Sequence, residues 1–418
     1  MQVSAPSDTV FVDIDQERIE RIAAAAGAGI DDAPLEPRRS PRWAGLRGLG
    51  TALWLDSGDI DEVDELWTSE FEALTTNNTL LNKEIQKGIY DDYVHEQADL
   101  VSGLPDGLRV LEMGFLLNAR HGLRLVRRYG ARVSVELSTE LAHDVDGSVF
   151  YGRRFHAISP EHFVVKVPLT AAGLLAARQL VTDGIPVNFT LGFSARHNHL
   201  IAGFVRPEFV NVFLGRCNGY VEKNGLGSGE LVGEKALLAS QRCVAHLYRE
   251  SPGRPRQIAA SMREPEQVAR LAGCDVMTMP TAVARGVDAW DAIDWQDRSG
   301  DDPEPGIDAA PTERLACFWE VGEADRRLLQ DLQRQAPESP EELIAKAHAC
   351  GLGDCFPELT ATDEQRIADD GKIPDHGHWC SRIADGLLAP DTLLNKAGLA
   401  AFAADQRALD ERLRSHLG

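Results

Sequence analysis

The feature that most constrains the fold is a regular alternation of short apolar segments with helix-length stretches between about residues 51 and 282. Segments that are apolar on both faces are typical of strands in a parallel sheet covered by helices. Eight strand–helix units over this length predict an α/β fold, a (β/α)8 TIM barrel with additional helices at both ends. The predicted strands lie at residues 53–55, 73–76, 133–137, 163–168, 187–193, 209–214, 257–261 and 275–279.

The chain divides into a barrel and two extensions. A Pro/Arg-rich segment, PLEPRRSPRW, precedes the first strand, and a loop rich in Asp, Pro and Gly follows the last. Within the C-terminal part we expect helices over 311–350, irregular structure over 352–390, and a final amphipathic helix or helix pair over 391–417. The predicted parts are an N-terminal extension (1–50), the barrel (51–285) and a helical C-terminal extension packing on the barrel (286–418).

Charge and cysteine usage exclude several classes of function. The net charge of −22 argues against nucleic acid or an anionic membrane as a partner. The sequence contains no apolar run of about 18 residues and no basic, apolar leader at its N-terminus. Seven scattered cysteines do not resemble a disulfide framework. We therefore predict a cytoplasmic protein.

One charged residue interrupts an otherwise apolar strand. Lys166 lies in the segment Phe163–Pro168, FVVKVP. Loss of hydration in such a strand favours the neutral amine, which is the form of lysine that attacks carbonyl groups. The alternative is a lysine whose stem is buried and whose ammonium reaches water, which is commoner. The residue alone does not decide between the two interpretations.

Further polar residues interrupt the predicted strands near their carboxyl ends, where barrel enzymes carry their chemistry. Asn188 and Thr190 share one face of their strand because strand side chains alternate with a period of two. If that face points inward, the group converges at the barrel mouth. Its members are Asp56, Asn77, Glu136, Lys166, Asn188 and Thr190.

With these residues in place, the chain resembles the transaldolase family, which belongs to the class I Schiff-base aldolases. The resemblance covers roughly residues 50–285 and, more weakly, the C-terminal helix. It is carried by the segments LWLDSGD, LTTNNTLL, VSVEL, VVKVPLTAAGL, GIPVNFTLGFS, GRCNGY and AASMREPEQVARLAGCDVMTMP. The lysine and threonine segments are the most specific, since their spacing and their flanks both match in order.

The resemblance implies an enzyme without a cofactor that acts on a sugar phosphate donor and an aldehyde acceptor, in carbohydrate metabolism such as the pentose phosphate pathway. Lys166 would form an imine with the ketose C2 carbonyl. Glu136, with a water held by Thr190, would shuttle protons, and Asp56 would take the proton of the C4 hydroxyl. The implied substrate-binding residues are Asn77 and Asn188 for hydroxyls, Arg216, Ser261 and Arg263 for phosphate, and Ser194 as a further contact.

Three positions depart from the family pattern and leave the acceptor open. Asn78 stands where a proline is usual, Asn211-Val212 replaces a serine-proline, and His197 replaces a glutamine. A diverged enzyme of specialised metabolism, with an unusual acceptor or with aldolase activity, is therefore the second interpretation. A barrel that serves only as an interaction module is the third, and the retained lysine and acids argue against it. A homodimer is compatible with the sequence.

The C-terminal part contains histidines and cysteines at short spacings, in HACGLGDC and HGHWC. Imidazole and thiolate are zinc ligands, but these spacings match no standard zinc motif. We predict no metal at this cluster, although the sequence leaves the question open. The residues are His348, Cys350, Cys355, His376, His378 and Cys380.

Overall fold

Eight parallel strands close into a barrel in sequential order, which confirms the predicted (β/α)8 fold. The computed structural model describes residues 14–251 and 253–418. All eight strands lie where the apolar segments predicted them, within a few residues. They are β1 (Ala52–Asp56), β2 (Phe71–Thr75), β3 (Arg132–Glu136), β4 (Phe163–Pro168), β5 (Val187–Thr190), β6 (Phe209–Phe213), β7 (Arg256–Ala260) and β8 (Val276–Pro280).

Helices follow the strands, precede the barrel and extend beyond it. Those between β1 and β8 cover the outer face of the strands, which explains why the strands are apolar on both faces. The helices of the described chain are α1 (Gln16–Gly27), α2 (Pro41–Gly48), α3 (Ile60–Leu66), α4 (Asn78–Gln86), α5 (Asp91–Gln97), α6 (Asp106–Tyr129), α7 (Val145–Ile158), α8 (Ala171–Thr182), α9 (Ala195–Phe204), α10 (Leu214–Lys223), α11 (Val232–Leu247), α12 (Glu266–Arg270), α13 (Thr281–Asp288), α14 (Glu323–Arg334), α15 (Pro340–Ala349), α16 (Ala361–Asp370), α17 (Cys380–Ala384) and α18 (Pro390–Leu417).

Strand register brings three polar residues to one level of the barrel. Glu136 on β3 pairs with Lys166 on β4, and Lys166 pairs with Asn188 on β5. All three side chains are buried. Because paired residues on neighbouring strands lie side by side, the barrel register fixes the distances between the Glu136 carboxylate, the Lys166 amine and the Asn188 amide.

The N-terminal helices pack on the outside of the barrel. Helix α1 is capped by Asp15 and buries Ile22 and Ala26 against α6. The hydroxyl of Tyr93 donates a hydrogen bond of 2.7 Å to the carbonyl of Ala25 at its end. The first 13 residues of the predicted extension lie outside the described residues.

The C-terminal part is more helical than the sequence predicted. Residues 352–390 were expected to be irregular, but they contain α16 and α17. Helix α16 begins at a capping box formed by Thr360 and Asp363, and Ile367 is its one buried residue. The helix is short and strongly polar, so its sequence offers little apolar signal, which is why the prediction was wrong. The last segment forms one continuous helix, α18, rather than a pair.

A buried ion-pair network ties α18 to the barrel. Arg196, on α9, donates two hydrogen bonds of 2.7 Å to the carboxylate of Asp391 in the first turn of α18. A third, of 3.1 Å, goes to Asp354, and all three side chains are buried. Helix α18 is therefore anchored where it begins, and its next turns are held across the carboxyl ends of the strands.

The structure also bears on two predictions from the sequence, that the chain has no membrane-spanning segment and no disulfide framework. No helix within residues 14–251 and 253–418 combines the length and the apolar character that crossing a membrane requires. All seven cysteines lie in this part of the chain and are free thiols. The absence of a disulfide framework agrees with the interpretation of their scattered positions.

Candidate active site

A pocket of about 220 Å³ opens at the carboxyl ends of the barrel strands. Its floor is formed by inward-facing strand residues, and its rim comes from the loops and from the C-terminal extension. It brings together seven of the ten residues that the sequence predicted as site residues. These are Asp56, Asn77, Lys166, Asn188, Arg216, Ser261 and Arg263.

Lys166 lies at the centre of this group. It is 4% exposed, so its ammonium does not reach bulk water as the snorkelling interpretation requires. The Nζ atom donates a hydrogen bond of 3.1 Å to the carbonyl of Thr76 and lies 3.6 Å from the carboxylate of Glu136. A buried amine with one neighbouring acid is well placed to react with a carbonyl group.

Glu136 is held by the residue that replaces the family's usual proline. The backbone N–H of Asn78 donates to Oε2 of Glu136 at 3.2 Å, and the Asn78 side chain donates to the carbonyl of Leu137. Burial raises the pKa of Glu136, although Lys166 and the Asn78 amide oppose that shift. A proline has no N–H to donate, so this departure gives the carboxylate an additional partner.

Asp56 stands on the other side of the pocket at the end of a hydroxyl chain. Thr75 donates a 2.6 Å hydrogen bond to its carboxylate, and the hydroxyls of Thr75 and Thr278 lie 2.7 Å apart. Burial raises the pKa of Asp56, while Lys166 and the Thr75 hydroxyl hold it down in part. The site therefore contains two acids in different surroundings, the arrangement by which enzymes divide acid and base work.

The amides of the site are positioned by local structure. Asn77 caps α4 by accepting a 2.8 Å hydrogen bond from the amide of Leu80. Asn188 donates to the hydroxyl of Ser134 at 3.0 Å, and its Oδ1 atom has no protein partner within the described chain. The hydroxyl of Thr190 is likewise buried and unpaired among those residues, although it does not line the pocket.

The anion-binding end of the pocket is built around Arg216. Its guanidinium is buried, yet its Nε and one terminal nitrogen have no hydrogen-bond partner in the part of the chain that is described. Burial, together with the nearby charge of Arg263, lowers the pKa of Arg216 to about 10, so the group stays charged at neutral pH. Unpaired buried donors of this kind are suited to an anionic ligand.

Ser261 adds a hydroxyl to the same end. Its backbone is left-handed, with φ +63°, and its Oγ is buried without a partner among the described residues. Its carbonyl oxygen would lie 2.2 Å from a Cβ at position 215, so Gly215, which precedes Arg216, must be glycine. A strained backbone conformation such as that of Ser261 is common at ligand-binding sites.

Several residues that line the pocket were missed by sequence reasoning. Phe402, on α18, places its ring centre 5.8 Å from Lys166 Nζ and 5.7 Å from Arg216 Cζ. Two exposed lysines, Lys83 and Lys372, add positive charge at the rim. Thr75 lies directly before the T-N-N segment, and that adjacency could have suggested it. No local signal points to Phe402 or Lys372.

Three of the predicted site residues lie outside the pocket. Glu136 and Thr190 are behind its wall, and Glu136 still reaches Lys166. Ser194 is buried at the start of α9, where it accepts a hydrogen bond from the amide of His197 at 3.1 Å and bonds to Asp391. The geometry gives Ser194 a capping role, and its predicted contact with substrate stays a prediction.

The histidines and cysteines of the C-terminal extension are dispersed among other partners. His376 contacts the hydroxyl of Tyr220 and the carboxylate of Glu313, and His378 contacts Asp370 at 3.0 Å. His348 lies 2.7 Å from the carbonyl of Phe356. Across the described ranges no three His, Cys, Asp or Glu side chains are grouped so that they could hold a metal ion.

One contact of the site is directly testable by substitution. Asn78→Pro removes the N–H that stabilises the Glu136 carboxylate, and proline is well tolerated at the first position of a helix. We expect the pKa of Glu136 to rise further, which moves the acid limb of the pH–kcat profile to higher pH. Asn78→Ala is the control, because it loses the same side chain but keeps the amide. Superimposable profiles for the two variants would contradict this role.

A parallel eight-stranded barrel with polar and charged side chains gathered at the carboxyl ends of its strands has the architecture of a (β/α)8 barrel enzyme. The model of the Transaldolase/Fructose-6-phosphate aldolase family matches residues 53–311. The chain belongs to this family.

Named relatives agree with that assignment. The chain is 32% identical over 235 residues to a probable transaldolase of Thermus thermophilus, an alignment that covers 55% of this chain and 87% of the relative. It is 28% identical over 257 residues to a transaldolase of Xanthomonas euvesicatoria, covering 59% and 77%. A transaldolase of Protochlamydia amoebophila is 27% identical over 240 residues, covering 55% and 72%.

Proposed function

We propose that this protein is a transaldolase. It transfers a dihydroxyacetone unit from a ketose phosphate, such as fructose 6-phosphate or sedoheptulose 7-phosphate, to an aldehyde acceptor through a Schiff base on Lys166. The observation that carries the proposal is the buried Lys166 amine, 3.6 Å from Glu136 and in one pocket with Asp56 and Arg216. An amine, two acids and an anion site are what this reaction requires.

The reaction begins when the Lys166 amine attacks C2 of the ketose. The carbinolamine that forms loses water to give a protonated imine. Glu136 is the acid nearest the nitrogen, and burial raises its pKa, so it can give a proton to the departing hydroxyl and take one back. The unpaired Thr190 hydroxyl is available to orient a water for this exchange.

Once the imine has formed, Asp56 removes the proton of the C4 hydroxyl and the C3–C4 bond breaks, which completes the first half-reaction. The bonding electrons move to C3 and are delocalised into the imine, and C4 leaves as an aldehyde. From fructose 6-phosphate the products are the bound three-carbon unit and glyceraldehyde 3-phosphate. C3 then adds to the acceptor aldehyde, and reversal of the imine steps releases the new ketose. Asn77 and Asn188 are placed to hold the hydroxyls of the retained unit.

Arg216 is expected to bind the substrate phosphate. Arg216→Gln should lower kcat/KM for fructose 6-phosphate about 10- to 100-fold, since a charge-assisted hydrogen bond is worth roughly 1.5–3 kcal/mol. Activity on unphosphorylated fructose should change far less, because that substrate makes no such contact. The ratio of the two kcat/KM values is the measurement. The exposed Arg242→Gln is the control, and an equal loss on both substrates would contradict the assignment.

Aldolase activity is the second candidate, and the position of Phe402 favours the transaldolase. Its ring covers Lys166 from the C-terminal helix, so it shields the three-carbon imine from water between the half-reactions. Phe402→Ala should raise the ratio of free dihydroxyacetone to transferred product several-fold, and Phe402→Leu should raise it less. If the ratio is unchanged in the alanine variant, Phe402 does not shield the imine from water.

The proposed function is tested by following both half-reactions. The protein is incubated with fructose 6-phosphate alone and then with each of a panel of aldehyde acceptors. A transaldolase gives catalytic release of glyceraldehyde 3-phosphate only when an acceptor is present, and the new ketose appears in equal amount. Steady release of free dihydroxyacetone without an acceptor supports the aldolase. No product under either condition would reject both.

A further inference from the structure

A second cavity, of about 200 Å³, lies between the barrel and the C-terminal extension. It is separate from the active-site pocket, since the two share no lining residue. Its walls are mostly apolar, with the barrel on one side and α14, α15 and the loop after α15 on the other. The apolar lining residues are Leu169, Ala171, Leu200, Leu328, Ile344, Leu352, Phe356 and Pro357.

One unpaired cation faces this apolar space. Lys396, on α18, is partly buried and lines the cavity, and no direct hydrogen bond or ion pair joins its ammonium to another residue in the described part of the chain. Burial lowers its pKa, with only the carboxylate of Glu364 opposing the shift. Arg196 in the same wall is different, because Asp391 and Asp354 already bind it. The free positive charge of the cavity is therefore that of Lys396.

Two helices also begin at this cavity. Thr170 and Ala171 are the cap and first residue of α8, and Arg196 and His197 lie in the first turn of α9. The amino-terminal end of a helix carries partial positive charge. Asp325 also lines the cavity, but its carboxylate accepts a 2.7 Å hydrogen bond from the amide of Gly322. Glu358 is exposed. Burial raises the pKa of Asp325, which favours its neutral form, so Lys396 is the charged group of this wall that lacks a direct ion-pair partner among the described residues.

We propose that this cavity binds a small monocarboxylate with an apolar body, with its carboxylate on Lys396. A cavity of about 150 Å³ lined by aliphatic and aromatic side chains is large enough for benzene, so this one accommodates a ring that bears a carboxylate. About half of the lining residues are apolar and cannot bond the hydroxyls of a sugar, whose burial without hydrogen bonds is costly. The ligand is thus of a different class from the substrate of the barrel pocket.

The cavity is linked to the active site through α18. Asn395, beside Lys396, donates hydrogen bonds of 3.1 and 3.0 Å to the carbonyls of Leu169 and Leu191, just beyond the ends of β4 and β5. Two turns further along the same helix, Phe402 covers Lys166. A ligand on Lys396 therefore contacts the element that closes the catalytic pocket.

Calorimetric titration with benzoate tests the proposal on the full chain. Benzoate should bind wild type, and benzyl alcohol should bind about tenfold more weakly or not at all, because it lacks the charge. Lys396→Met should weaken benzoate binding by about the same factor. Methionine matches the lysine in size and suits apolar walls, and an unchanged melting temperature would show that the variant is folded.

Arg216→Gln separates the two cavities. This variant should bind benzoate as tightly as wild type, since Arg216 lines only the catalytic pocket. Loss of benzoate binding in Arg216→Gln would place the ligand in the active site and overturn the proposal. Equal binding of benzoate and benzyl alcohol, or no benzoate binding to wild type, would also overturn it, and these comparisons need no variant.

Discussion

Lys166→Met is expected to lose transaldolase activity by about 10⁴-fold or more, the scale seen when a covalent nucleophile is removed. Methionine has nearly the length of lysine and no amine, so neither the carbinolamine nor the imine can form. Removing the cation leaves the buried Glu136 carboxylate without its partner at 3.6 Å, so the variant should lose some stability as well as kcat. Activity is therefore compared at a temperature well below the melting temperature of both proteins.

The control for this variant is Lys223→Met. Lys223 is an exposed lysine at the end of α10 that does not line the catalytic pocket. It should retain wild-type kcat and KM. Activity of Lys166→Met within tenfold of wild type, measured by release of glyceraldehyde 3-phosphate, would refute covalent catalysis by this residue.

Asp391→Asn is expected to destabilise the folded protein by about 3–5 kcal/mol, because it leaves the buried Arg196 charge without its main partner. The lost contacts are the two hydrogen bonds of 2.7 Å that anchor α18. Asp302→Asn is the matched control, since Asp302 is an exposed partner of Lys235 and Arg242, and such pairs contribute about 1 kcal/mol or less. The midpoint of urea unfolding compares the three proteins.

The same residue predicts a pH dependence. Burial alone would raise the pKa of Asp391, but Arg196 and His197 outweigh it and hold the pKa well below its usual range. A carboxyl group with a lowered pKa in the folded state stabilises the protein above its unfolded pKa of about 3.9 and loses that contribution as the pH falls below it. The difference in unfolding midpoint between wild type and Asp391→Asn should therefore shrink below about pH 4. A difference that stays constant into acid would contradict the ion pair.

The barrel and the centre of its site were predictable from sequence because both depend on local patterns. Apolar strand segments mark all eight strands, and Lys166 and Asn188 interrupt two of them at paired positions. Period-two alternation then places both side chains inside the barrel. Glu136 follows from the same rule one strand earlier. The order of the strands is therefore almost sufficient to predict that Glu136, Lys166 and Asn188 lie together.

The rim of the site could not be predicted in this way. Phe402 and Lys372 reach the pocket only because the C-terminal extension folds back across the barrel, and no sequence period reports that long-range packing. Ser194 is a different case. The family resemblance implies that it contacts substrate, which stays a prediction, and the structure adds a capping contact in which its hydroxyl accepts from the amide of His197.

Borohydride trapping shows whether Lys166 forms the imine. The protein is incubated with fructose 6-phosphate, reduced with borohydride, digested, and its peptides are weighed by mass spectrometry. Because reduction fixes an imine as a stable amine, we expect a three-carbon adduct on the peptide that contains Lys166, with parallel loss of activity. Lys166→Met should give no adduct. If the Lys166 peptide stays unmodified after reduction of a sample that is turning over substrate, or if the adduct is on another lysine, Lys166 is not the imine-forming residue.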